Sequence, residues 1–190
     1  TYTSNIIPNK IKIDKNFMRL VGYYLSEGCV NKHNFLLYFN KKEKEYIKDS
    51  VKLLKKVFGL KASLRYEGSV CRIAVYSNLL CRFFEALFSK LSYNKRLPHW
   101  VMLLPIKKQN ELIKGFFRGD GCMTKESYVL VTNSRQLTYQ FRDILLRFGV
   151  IPSITKRTKE KLNKKEHKIE GRLVKFNHDK YHIVIGNLKS

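Results

Sequence analysis

Apolar residues along this chain switch repeatedly between a helical and a strand period. Over residues 15–28 they recur at helical spacing, and residues 30–31 and 35–39 then read as the two arms of a hairpin. From 42 to 58, Tyr46, Ile47, Leu53, Leu54, Val57 and Phe58 return to helical spacing, and Gly59 suits the stop. Residues 62–66 and 71–76 alternate as strands around Glu67 and Gly68, and Ser77 is placed to cap a helix through Phe88. The second half repeats this order: helix 108–120, strands near 122–125 and 128–132, helix 134–148, strands near 152–157 and 181–186.

The repetition extends to residue identity. Residues 20–29 (LVGYYLSEGC) are echoed by residues 113–122 (IKGFFRGDGC), 93 positions further on. The same offset carries Lys32 onto Lys125, Asn40 onto Asn133 and Tyr46 onto Tyr139. Phe58 and Gly59 match Phe148 and Gly149 at an offset of 90, a deficit close to one helical turn. The chain is a duplication of the α+β class, with half-domains expected at 1–105 and 106–190. Residues 158–172 form a charged insertion, read as a solvated loop or an extended hairpin tip.

Charge narrows the partner. Thirty-eight Lys and Arg oppose 15 Asp and Glu, a net +23, so a polyanion is needed to relieve the self-repulsion. Nucleic acid is the first candidate. No apolar run approaches the roughly 20 residues that span a bilayer, and the basic residues are not gathered on one amphipathic face. Cys29, Cys71, Cys81 and Cys122 lack zinc spacing and read as buried free thiols. The five histidines show no triad or metal spacing, and Trp100 reads as core. With no signal peptide and a threonine at position 1, the expectation is a processed, excised or trimmed intracellular protein of a nucleoid, cytoplasm or organelle.

The echoing segments carry the chemistry. Gly22 and Ser26, like Gly115 and Gly119, lie four apart, so each helix presents a small-residue face that lets two backbones approach. Each face is followed by one acid, Glu27 or Asp120, and then by a glycine, Gly28 or Gly121. Packing the helices brings both carboxylates to the negative ends of two helix dipoles. That is costly unless divalent cations sit there, and oxygen ligands with open positions suit magnesium, two or three ions being expected. The bland alternative is two exposed residues at helix ends, and the matched registers weigh against it.

Residues 20–28 and 113–121 resemble the two motifs of a monomeric LAGLIDADG homing endonuclease, the second being most similar to intein-encoded (DOD-type) members. The resemblance covers nearly the whole chain. It implies two αββαββα half-domains packed through the motif helices, antiparallel sheets forming a saddle over double-stranded DNA, and cleavage of both strands at a long asymmetric target. It implies a metal site of Glu27 and Asp120 with Gly28 and Gly121. It also implies catalytic roles for Lys95, in the element Lys95-Arg96-Leu97-Pro98, and for Asn40, Lys41 and Asn133 beside the metals. The expected DNA-reading residues are Lys32, Asn34, Tyr38, Arg65, Tyr66, Arg72 and Tyr76 in the first half. In the second they are Lys125, Tyr128, Thr132, Lys156, Arg157, Lys175, Tyr181 and His182. The second copy stops at Ser190, before a last helix and before a counterpart of Lys95. Two other readings stand: an intron maturase binding RNA, and a non-catalytic DNA-binding regulator.

Overall fold

The computed structural model describes residues 7–164, 167–169 and 172–186. The first half runs α1 (Lys15–Glu27), β1 (Gly28–Val30), β2 (Asn34–Asn40), α2 (Lys44–Phe58), β3 (Ser63–Glu67), β4 (Val70–Tyr76) and α3 (Asn78–Phe88). A 3-10 turn at Ser92–Asn94 and a short α4 (His99–Met102) lead to the second half. This comprises α5 (Ile106–Asp120), β5 (Gly121–Met123), β6 (Ser127–Thr132), α6 (Arg135–Arg147), β7 (Ser153–Arg157) and β10 (Lys180–Gly186). Between β7 and β10 the charged insertion folds as α7 (Lys159–Leu162) and a small pair of strands, β8 (His167–Ile169) and β9 (Arg172–Val174).

Local chemistry explains the helix boundaries. The Asp14 carboxylate accepts from the amides of Asn16 and Phe17 at 2.8 and 3.0 Å and starts α1. Ser77 and Ser134 accept in the same way from Leu80 and Leu137, starting α3 and α6. Gly59 closes α2 at φ 72°, the left-handed conformation glycine adopts without strain.

Two four-stranded antiparallel sheets have matching orders, β1-β2-β4-β3 and β5-β6-β10-β7. Helices cover one face of each. The core lies between: Phe35, Leu37, Ile73 and Val75 of the first sheet, and Leu130 and Ile183 of the second, are all almost wholly buried. α1 and α5 make the most extensive helix contact and form the spine of the molecule. At their crossing a Cβ on Gly22 would fall onto the Leu112 carbonyl, and one on Gly115 onto the carbonyl of Arg19. Only backbone fits there. An ion cluster ties α1, α2 and α5 together beside the crossing. Arg19 reaches Asp49 at 3.1 Å and Glu111 at 3.0 Å, and Arg118 reaches Asp49 at 3.0 Å and the Tyr23 hydroxyl at 2.7 Å.

Trp100 packs partly buried against the core. The four cysteines are free, but only Cys71 and Cys81 are buried; Cys29 is half-buried and Cys122 exposed. The aligned end of the second copy, residues 187–190, lies outside the described residues.

Candidate active site and nucleic-acid interface

Each spine helix passes directly into a strand, and the acid is its last residue: Glu27 before β1, Asp120 before β5. The glycines that follow do not end the helices through a left-handed turn. Gly28 and Gly121 are extended, at φ −97°, ψ 149° and φ −95°, ψ 147°. Glycine is required for space instead. A Cβ would lie 2.6 Å from Tyr24 Cα at the first site and 2.6 Å from Phe117 Cγ at the second. The motif therefore folds the chain back on its own helix, which holds the acid at the junction of helix and sheet.

Both acids are held above their ordinary range. Burial, then the Asp120 carboxylate and Glu43, push the Glu27 pKa up to about 7, against the pull of Lys95. Asp120 is more exposed than Glu27, yet the protein atoms packed around it raise its pKa to about 6, opposed by Lys95 and Lys180.

Lys95 is 3% exposed. Its ammonium donates to the carbonyls of Tyr24 (2.6 Å), Leu25 (3.0 Å) and Gly28 (2.7 Å), which uses all three of its protons. It thus caps the C-terminal end of α1 and places a fixed positive charge beside both acids. Burial lowers its pKa to about 8 despite the attraction of Asp120, Cys29 and Glu27. A catalytic role for Lys95 by direct contact with water or phosphate would find no donor free. Gly28, grouped with the metal site, has one carbonyl lone pair engaged by Lys95. Asn40 accepts from Lys42 N and donates its own N–H to Glu43, a turn that carries the exposed Lys41; Asn133 is half-buried before Ser134.

Strand register decides which side chains look away from the helices. In the first sheet Asn34 pairs with Tyr76, Tyr38 with Arg72, and Arg72 with Arg65, all on the helix-free face. Tyr66 sits opposite Cys71 and therefore points to the helix side. In the second sheet the helix-free face carries Arg157 opposite Lys180, and His182 opposite Thr155 and Val131. Tyr128, Thr132, Lys156 and Tyr181 share the parity of the buried Leu130 and Ile183 and lie on the helix side. Thr132 is itself buried and accepts from Ser134 N. Lys32 and Lys125 are exposed in the β1–β2 and β5–β6 turns, and Lys175 is exposed between β9 and β10.

A model of the LAGLIDADG-like domain matches residues 14–87 and again 107–188. The chain belongs to the LAGLIDADG family. It is 36% identical over 169 residues to an uncharacterized protein of Methanocaldococcus jannaschii, covering 82% of this chain and 20% of that one. It is 32% identical over 143 residues to the DNA polymerase II large subunit of Thermococcus kodakarensis, covering 72% and 8%. The chain thus spans a fifth or less of these curated relatives. Among solved structures, variants of the homing endonuclease I-DmoI superpose with a TM-score of 0.62 at 15% identity, covering 93% of this chain and 90% of that one. I-DmoI has also been solved in complex with DNA and Mn. At that identity the likeness is one of fold.

Within the LAGLIDADG frame the donor set fits a hard divalent cation. Among the described residues no three His, Cys, Asp or Glu side chains gather, so two carboxylates would leave most positions to water and phosphate oxygen, as magnesium prefers. Their mutual repulsion is what a cation would relieve. Sequence reasoning missed Lys180, Glu43 and the cluster around Asp49. Strand parity, read from the alternation of Ile183 with His182, would have picked out Arg157 over Lys156.

Proposed function

We propose that this chain is a site-specific endonuclease that hydrolyses both strands of double-stranded DNA at a long asymmetric target. The observation that carries this reading is the pair Glu27 and Asp120, held at matching helix ends and forced to share one field. The residues 1–105 and 106–190 would act as two half-sites of one monomer. Magnesium held by Glu27 and Asp120 would activate water and stabilise the leaving 3′ oxygen. The protein residues do the rest. Lys95 holds α1's last turn and balances the acids. Arg65, Arg72, Tyr38 and Tyr76 on one sheet, and Arg157, His182 and Lys180 on the other, present donors to phosphates and base edges from the helix-free faces. Because these two sets differ, the two half-sites would read different sequences.

The test is digestion of a randomised duplex library with magnesium, followed by sequencing of the cut ends. A single recurring long site, lost on chelation, supports the proposal. Tight binding to duplex or intron RNA without any cutting would replace it with the regulator or the maturase reading.

A further inference from the structure

On the helix side of the first sheet, α2 and β3 bound an open groove of about 900 Å³. Its floor is apolar: Ile47 and Val51 from α2, and Leu64 and Tyr66 from β3. Leu64 and Tyr66 share the parity of the buried Ile73 and Cys71, yet remain 44% and 59% exposed, because α2 does not reach over them. Large apolar side chains left open on a core-facing parity mark a surface with a missing cover.

The wall is basic. Lys44, Lys48, Lys52 and Lys55 also line the groove, and all four are exposed. They stand at successive steps of four, four and three on one face of α2, a row roughly 17 Å long. No ion pair engages any of the four among the described residues. The equivalent groove of the second half, between α6 and β7, is different. Its Tyr139 lies 5.8 and 5.0 Å from the guanidinium groups of Arg135 and Arg142, and its Lys156 is bridged to Asp179 at 2.8 Å. There the charges already have partners.

We propose that the first groove docks an acidic amphipathic helix of a partner protein, laid along α2. Its apolar face would cover Val51, Leu64 and Tyr66, and carboxylates four residues apart would meet the lysine row at the same spacing of about 6 Å. A nucleic-acid backbone would satisfy the lysines but has nothing to bury the apolar floor. This face is opposite the DNA face, so both partners can be held at once.

The probe is a labelled 15-residue helical peptide with leucines on one face and glutamates flanking them, titrated by fluorescence anisotropy into the full chain already saturated with duplex DNA. Saturable binding is expected. It should fall at least tenfold in Leu64→Asn and in the pair Lys48→Glu, Lys52→Glu, and be unchanged in Arg142→Glu of the other groove. Duplex affinity within twofold of the parent shows that each variant is folded. The proposal is overturned if a scrambled peptide of the same composition binds equally well. It is equally overturned if Leu64→Asn leaves binding intact while single-stranded RNA displaces the peptide, which would make the groove a polyanion surface.

Discussion

The two halves share a topology but surround their acids differently. In the first half Tyr24, Phe35, Phe58, Phe84 and Phe88 form a continuous ring cluster under the sheet, and Lys95 closes the end of α1 from beneath. In the second half Phe116 meets Phe141, Phe117 meets Tyr128 and His178 stacks on Tyr93 of the first half, and among the described residues no buried lysine caps α5. Asp120 also feels Lys95, and Lys180 on the strand face adds a second, smaller positive field that Glu27 does not have. The duplication preserves what the joint site needs, namely small residues at the crossing, one acid and one glycine per half. The surfaces that would read different halves of the proposed target are the ones that differ.

The crossing is where the halves must stay alike, so the largest effect is expected there. Gly22→Val would push a branched side chain into the Leu112 carbonyl, and circular dichroism should show no folded protein. Next comes the asymmetric cap. Lys95→Met leaves three carbonyls at the end of α1 without their shared donor, and urea denaturation should show a loss of about 3–5 kcal/mol. Replacing Lys180 with Met, by contrast, should cost stability little, since it is not buried.

Glu27→Gln sharpens the comparison with the opposite sign. The folded protein raises the Glu27 pKa from 4.5 to about 7, so it favours the protonated form. That stability is fully present below pH 4.5 and lost as pH rises through 7. Gln holds the neutral form throughout. In metal-free buffer at pH 8 the variant should be more stable by about 1–3 kcal/mol, allowing for partial solvent access, and equal to the parent below pH 4. The smallest effect separates two adjacent residues. Arg157→Ala should lower the salt dependence of DNA binding by about one unit of slope, and Lys156→Ala, on the other face, should not.

The fold was legible because period and repetition agree. Gly59, Ser77 and the paired motifs each mark a boundary that sterics or hydrogen bonding enforce, and helix and strand limits fall within a few residues of those read from the pattern. The placement of Glu27 and Asp120 at matching helix ends was legible for the same reason. What the sequence did not disclose is what depends on contacts far apart in the chain. Lys95 lies about 70 residues from the carbonyls it binds, and nothing local to its own segment shows that its ammonium is fully engaged. Of the residues expected to read DNA, Arg65 with Tyr66, Lys156 with Arg157, and Tyr181 with His182 are neighbours on a strand, and only one of each pair lies on the helix-free face. The charged insertion folds its own small strand pair, the hairpin that was one of the two readings of its composition.

Glu27 and Asp120 are the proposed cleavage site. The most direct measurement is single-turnover cleavage of a target selected from the library, in magnesium, by the parent chain, Glu27→Ala and Asp120→Ala, with duplex affinity measured in parallel. The prediction is loss of cleavage by more than about a thousandfold in each variant with affinity within about tenfold, because binding would rest on the proposed phosphate contacts of the sheets. Cleavage that persists in either variant at near-parental rate would contradict it.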